Sequence, residues 1–166
     1  MRRFSLIAMT LLVVAIVGLS GCAPGSSANE EADAVKAAVH TYNEALIRAF
    51  TEMDMNELNT TATKEQAEKE YGFMVALGES RVRMIGVMRS IEFGEATFTG
   101  DASATVTTTE VWDYRHESLD TSETVREETG VVYRLRYDFV MQDGRWLVDA
   151  VTSLDEAPSG EETSAP

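Results

Sequence analysis

Glu110 and Arg89 are the residues whose surroundings ask for chemistry. From Ile85 onward, apolar and polar residues alternate, the period of half-buried strands. In one run Ala104, Val106, Trp112 and Tyr114 share a face, and Glu110 shares it too. In the run before it, Ile85, Val87, Ile91 and Phe93 share a face that Arg89 interrupts. A carboxylate and a guanidinium in apolar registers are costly unless paired. One reading is a polar spot inside a ligand pocket made with Trp112, Tyr133 and Tyr137. The others are a buried structural ion pair, or a bulge that turns one of the two to water.

Other reactive groups are sparse. His40 and His116 are the only histidines. His40 lies near the apolar stripe of a helix, and His116 falls in the charged stretch Arg115-His116-Glu117, so they form no metal pair at helical spacing. No Ser/His/Asp layout, phosphate loop or dinucleotide glycine motif is present. The chain therefore calls for no cofactor and no metal.

Helices must come first. Val35, Ala38, Val39, Tyr42, Leu46, Ala49, Phe50 and Met53 recur at steps of three and four, which predicts a helix over about Asn29 to Met53. Ser27 followed by Glu30 fits a capping box at its start. Asp54 can cap a short turn from Met55 to Leu58. Thr63 with Gln66 fits a second capping box, opening a helix through about Gly78 with Ala67, Tyr71, Met74, Val75 and Leu77 inward.

Four strands follow, over 85–98, 102–115, 125–141 and 145–153. Gly100-Asp101 and Asp143-Gly144 punctuate two hairpins. A two-residue loop at Asp143-Gly144 pairs Met141 with Trp146, Phe139 with Val148 and Tyr137 with Ala150. The outer face of the third strand then carries Arg134, Arg136 and Asp138. A three-residue loop at Gly100 sets Phe98 against Ala104 and calls for a one-residue bulge near Gly94. The same register places Phe93 opposite Thr108, Ile91 opposite Glu110 and Arg89 opposite Trp112. On the other side Trp112 faces Val131 and Glu110 faces Tyr133. Glu110 thus sits mid-sheet with Arg89 as a diagonal neighbour able to stack on Trp112.

The chain begins with a different kind of signal. Arg2 and Arg3 precede an apolar run from Phe4 to Val17, then Leu19-Ser20-Gly21-Cys22. Basic, apolar and small residues in that order read as a secretory signal over 1–21. The run from Phe4 to Leu19 is 16 residues, short of the ~20 that cross hydrocarbon comfortably. Cys22 is the only cysteine, so no internal disulfide can form. Leu19-Ser20-Gly21-Cys22 resembles the lipobox of bacterial lipoproteins. That resemblance implies cleavage before Cys22, diacylglycerol on its thiol, palmitate as a second anchor, and an extracytoplasmic domain. Two acyl signals hold a protein stably where one is marginal.

Removing 1–21 lowers Lys plus Arg from 14 to 12 against 28 Asp plus Glu, so the net charge goes from −14 to −16. Such a charge disfavours nucleic acid as a partner. Residues 22–28 read as a tether, 29–156 as one α+β domain, and 157–166 as a polar, disordered tail.

Helices followed by an antiparallel meander give an α+β domain, N-terminal helices on one face of a curved four-stranded sheet. That order, with Tyr42 and Phe50 on the first helix and the closing run from Tyr133 to Asp149, resembles the nuclear transport factor 2-like superfamily. The resemblance implies a bent sheet wrapped around helices with a pocket at the wide end. Its members include isomerases, dehydratases, transport adaptors and silent binding modules, so function stays open. Ketosteroid-isomerase-like members place a tyrosine on the first helix and carboxylates in an apolar pocket. Tyr42 and Glu110 match two of those roles, and no second inward carboxylate is evident. The expectation is a lipid-anchored module binding an envelope protein or small apolar ligand. The alternatives are a ketosteroid-isomerase-like or dehydratase-like enzyme, and a structural envelope scaffold. A deep cavity containing Glu110 and a second polar group would favour the enzyme, and a filled one the module.

Overall fold

The computed structural model describes residues 24–155. The signal segment, Cys22 and the tail 157–166 lie outside the described residues. Two helices come first, α1 (Pro24–Glu52) and α2 (Lys64–Glu79), joined through a 3-10 turn at Leu58–Thr60. Five strands follow: β1 (Val82–Phe93), β2 (Thr97–Thr99), β3 (Ser103–Ser118), β4 (Thr124–Gln142) and β5 (Arg145–Ser153). They form one antiparallel sheet in the order β1-β3-β4-β5, with β2 continuing the β1 edge against β3.

α1 starts five residues before the expected Asn29, so residues 24–28 of the expected tether are helical, and Ser27 lies within the helix instead of capping it. Its stripe is buried as the periodicity requires. Val35, Val39, Tyr42, Ala49 and Phe50 are all in the core, and Ala38, Leu46 and Met53 pack against it. Ala45 and Asn43 are buried as well. Asn43 is a polar residue in the stripe, which a count of apolar positions passes over.

Thr63 caps α2 and accepts the backbone N–H of Gln66. The Gln66 side chain turns inward instead of closing the capping box. Ala67, Met74 and Leu77 are buried, whereas Tyr71 (52% exposed) and Val75 (38%) face outward. α2 covers a sheet edge with a narrower stripe than its composition suggests. The 61–63 segment is stitched to β5: Thr63 N–H donates to Val148 O at 2.8 Å and Val148 N–H to Thr61 O at 3.0 Å.

Sheet registers follow the expected pairs at most points. Phe93 lies opposite Thr108, Ile91 opposite Glu110, Glu110 opposite Tyr133 and Trp112 opposite Val131. Met141 faces Trp146 and Phe139 faces Val148. The expected first strand breaks at 94–96, where one extra residue enters between Phe93↔Thr108 and Thr97↔Thr105. Glycine is needed at the break, because a Cβ on Gly94 would collide with Thr107 Oγ1.

Three further irregularities change the reading. A shift past Asp138 leaves Asp149 unpaired, so Tyr137 faces Val151 and not Ala150. Thr129 and Gly130 bulge opposite Asp113, with Gly130 at φ 66° donating its N–H to Asp113 Oδ1 at 2.8 Å. Arg89 is itself a bulge residue, since Met88 pairs with Trp112 and Ser90 with Val111. The bulge reverses parity along β1. Met84 and the buried Gly86 face the core before it, and Ile91 and Phe93 after it. Val87, expected inward, is 46% exposed, and Ile85 lines the outer surface with it. Such bulges bend a strand and increase its twist, which suits a sheet that wraps around α1.

Candidate functional site

Glu110 sits on the inner face of β3, mid-sheet, and is 1% exposed. Its neighbours follow from the period of two: Thr108 and Trp112 are next on the same face of the strand. Tyr137 comes from β4, and Asn43 descends from α1. Four donors converge on the carboxyl. Thr108 Oγ1–H and the Tyr137 hydroxyl each donate to Oε1 at 2.8 Å, and Trp112 Nε1–H donates to Oε2 at 2.8 Å. Asn43 Nδ2 adds a long contact to Oε1 at 3.5 Å and donates to the Tyr137 hydroxyl at 3.2 Å. A carboxylate accepts and never donates, and every neighbour here supplies a proton. Burial, followed by the Glu110 charge, raises the Tyr137 phenol well above its ordinary value, so it remains a donor across the physiological range.

The expected partnership of Glu110 with Arg89 does not form. Arg89 is exposed on the outer face, where its Nε–H donates to Asp113 Oδ2 at 2.6 Å. The bulge at Arg89 carries the side chain across the sheet. Tyr114, and not Arg89, stacks on Trp112, with ring centroids 5.7 Å apart and planes at 7°. Of the residues singled out in the sequence, the structure brings together Glu110, Trp112 and Tyr137. Tyr133 lies opposite Glu110 on β4, edge-on to Tyr114 at 6.1 Å. Glu110 is satisfied by neutral hydrogen bonds instead of a cation. The sequence carries a signal for this: Asn43, Thr108 and Tyr137 are polar residues in apolar registers.

A second buried polar group adjoins the first. The Tyr42 hydroxyl donates to Glu70 Oε1 at 3.1 Å and accepts from Gln66 Nε2 at 2.9 Å, and Gln66 Nε2 also reaches Glu70 Oε1 at 2.7 Å. The Tyr42 ring meets Tyr137 edge-on at 6.1 Å, so the two networks touch through aromatic packing. Burial raises the Glu70 carboxyl above its ordinary value, against the hydrogen bonds from Tyr42 and Gln66, which lower it.

Space is scarce beside Glu110. A void of about 30 Å³ between Phe50, Gly86 and Trp112 has room for about one water. A larger concavity of about 380 Å³ opens between α2 and the start of β4. Among the described residues, no group of three or more His, Cys, Asp or Glu side chains could hold a metal ion.

No protein-family model and no curated protein matches this chain. Solved structures do. The intermembrane space region of chloroplast protein ARC6 superposes with a TM-score of 0.66 at 12% identity, covering 74% of this chain and 95% of that one. A ketosteroid isomerase-like protein from Erwinia carotovora atroseptica gives 0.51 at 16% identity, covering 76% and 98%. A periplasmic fragment of TraM gives 0.51 at 10% identity, covering 71% and 96%. At these identities the likeness is one of fold.

The raised Glu70 carboxyl gives a pH prediction. An acid whose folded pKa is raised favours the folded state below its unfolded value and loses that contribution as pH rises through the folded one. Glu70→Gln keeps an acceptor for Tyr42 and cannot ionise. Thermal melting of the two proteins should be alike near pH ~4. The variant should become the more stable as pH rises above 4.5, the ordinary value of the group. A stability difference that does not change with pH would show that Glu70 is not desolvated in the folded protein.

The curved antiparallel sheet and these superpositions show the fold, an α+β architecture with helices packed on one face of a bent sheet, shared with the ketosteroid isomerase-like protein.

Proposed function

We propose that this chain is a lipid-anchored lipoprotein of the cell envelope whose single domain binds a partner or ligand and performs no chemistry. One observation carries the reading: Glu110, the most deeply buried carboxyl among the described residues, has both oxygens occupied by donors of the protein itself. A general base must reach its substrate's proton directly or through one water. Glu110 would have to break bonds to Tyr137, Thr108 or Trp112 first, and each bond to a charged acceptor is worth ~1.5–3 kcal/mol.

Cys22 supplies the anchor in this reading, with acyl chains on its thiol and the membrane as the first partner. The helix α1 begins two residues after Cys22, so the domain stands close to the lipid surface. Its strong negative charge keeps it from lying flat on anionic headgroups. Two similar structures, an intermembrane space region and a periplasmic fragment, are compatible with work in an envelope compartment. A ketosteroid-isomerase-like enzyme is the competing reading, favoured by a buried carboxyl flanked by the hydroxyls of Tyr137 and, further off, Tyr42.

Two experiments test the proposal. Mass spectrometry of the mature N-terminus should find an acylated Cys22 as first residue, and Cys22→Ala should release the protein from membranes or stop its processing. An unmodified Cys22, or cleavage at another bond, would sink the anchor. The purified protein should turn over no small ketone, enol or hydroxy acid. Turnover abolished by Glu110→Gln would make the domain an enzyme.

A further inference from the structure

α1 runs the length of the sheet, and its direction is fixed by what it touches. Near its start, Ala34, Ala37 and Ala38 line one cavity with Gly144, Arg145 and Trp146 of the β4–β5 hairpin. Midway, the His40 ring meets Phe93 edge-on at 5.3 Å, and Asn43 joins the Glu110 network. Toward its end, Leu46 and Phe50 close on Met84, Gly86 and Tyr114. The helix therefore begins at the end of the sheet that carries the turns at Gly100-Asp101 and Asp143-Gly144, which Met141 N–H ties together by donating to Ala102 O at 2.9 Å. It finishes at the opposite end. There Gly78 of α2 packs against Met53, and the β3–β4 hairpin meets the residue after α2, Leu119 N–H donating to Arg81 O at 2.9 Å.

The helix starts before the core does. From Ala28 to Ala34 no side chain is buried, and Val35 is the first in the core. At ~1.5 Å per residue, Pro24 lies ~16 Å ahead of Val35 along the axis, and the whole helix of 29 residues spans ~42 Å. Cys22 is two residues before Pro24, a reach of at most ~7 Å. Acyl chains on Cys22 would hold the hairpin end, and not the far one, toward the lipid.

The projecting turns are not built to lie on a membrane. A helix that does so carries Lys or Arg on its polar face and Trp, Phe or Leu on the other. Residues 24–34 have none of these and carry Glu30, Glu31 and Asp33. Those acids are repelled by anionic headgroups within a Debye length of ~8–10 Å. The apolar surface is elsewhere. Tyr71, Phe73 and Val75 are exposed on α2, and Leu119 and Val125 at the β3–β4 hairpin, while no large apolar residue is exposed at either turn beside the start of α1.

We propose that α1 is a strut that stands the anchored domain on its hairpin end and holds the far end, with the concavity beside α2, away from the lipid. The inference rests on lipid anchoring at Cys22 and adds which surface meets the membrane and which meets the water-filled space. A partner of the far end then comes from the aqueous phase, and not from the bilayer that holds the anchor.

The test uses two variants of the full chain, Asp101→Cys at the hairpin end and Thr121→Cys at the far end, both at exposed positions. An acylated Cys22 leaves the new thiol as the one that a maleimide fluorophore labels. The chains are placed in vesicles of phosphatidylethanolamine and phosphatidylglycerol that contain a headgroup-labelled energy acceptor. Transfer from Asp101→Cys should exceed that from Thr121→Cys several-fold. Equal transfer, or more from Thr121→Cys, would overturn the strut.

Glu31→Pro, added to each variant, removes an i→i−4 backbone bond and breaks the helix ahead of the core. Melting should change little, because no buried side chain among the described residues precedes Val35, and the two transfer efficiencies should converge. Efficiencies that stay apart with the helix broken would also overturn the strut, since something else would then orient the domain. Failure of the anchor shows differently: the unaltered chain would itself take the fluorophore at Cys22 and stay off the vesicles.

Discussion

A carboxyl cannot be left alone in a protein interior, and much of this domain is arranged around that constraint. Glu110 is 1% exposed, and its hydrogen-bond partners are all neutral. Donors from α1, β3 and β4 stand in for the missing charge partner. The arrangement couples the elements: Asn43 must be on the underside of α1, and Tyr137 must be on the inner face of β4 in the right register. A one-residue slip of β4 would send Tyr137 to solvent and leave the carboxyl short of a donor. Fully satisfied buried networks specify a unique packing, while partly satisfied ones are costly. We read Glu110 as such a specifying group, joining the helix to the sheet from the inside.

That role bears on function. The likeness of fold to a ketosteroid isomerase-like protein and to regions from envelope compartments leaves the activity of this chain open. The interior is crowded with Tyr42, Trp112 and Tyr137, and the polar atoms that a catalyst would hold ready are already bonded to each other. The open concavity lies elsewhere, between α2 and the start of β4, where Phe73 is half exposed.

Much of the fold is legible in alternation alone. The register Ile91–Glu110–Tyr133 follows from hairpin lengths and the rule that apolar residues share a face, and the structure has it. What alternation cannot show is where parity breaks. It places Arg89 inward because Ile91 and Phe93 are odd-numbered. The bulge absorbs one residue, so the odd numbers before it, Ile85 and Val87, face out and Arg89 goes with them to Asp113. Nothing local marks the bulge, since it depends on curvature that the whole sheet imposes. His116 escapes for a simpler reason. The charged run Arg115-His116-Glu117 looks like a loop, yet β3 continues through it to Ser118. Tyr71 and Val75 look inward by composition, which does not say how wide a stripe α2 has to bury.

Hydrogen exchange at the indole proton of Trp112, followed by NMR, tests the central claim most directly. That proton is held by Glu110 Oε2 at 2.8 Å in a residue 5% exposed. If the carboxyl is part of the structural frame, the indole proton exchanges only through global unfolding, with the same free energy as the slowest amides of β3 and β4. Exchange through a local opening, far easier than unfolding, would mean that water reaches Glu110 in the folded domain. The carboxyl would then be free to act as a base, contradicting its role as a fixed structural group.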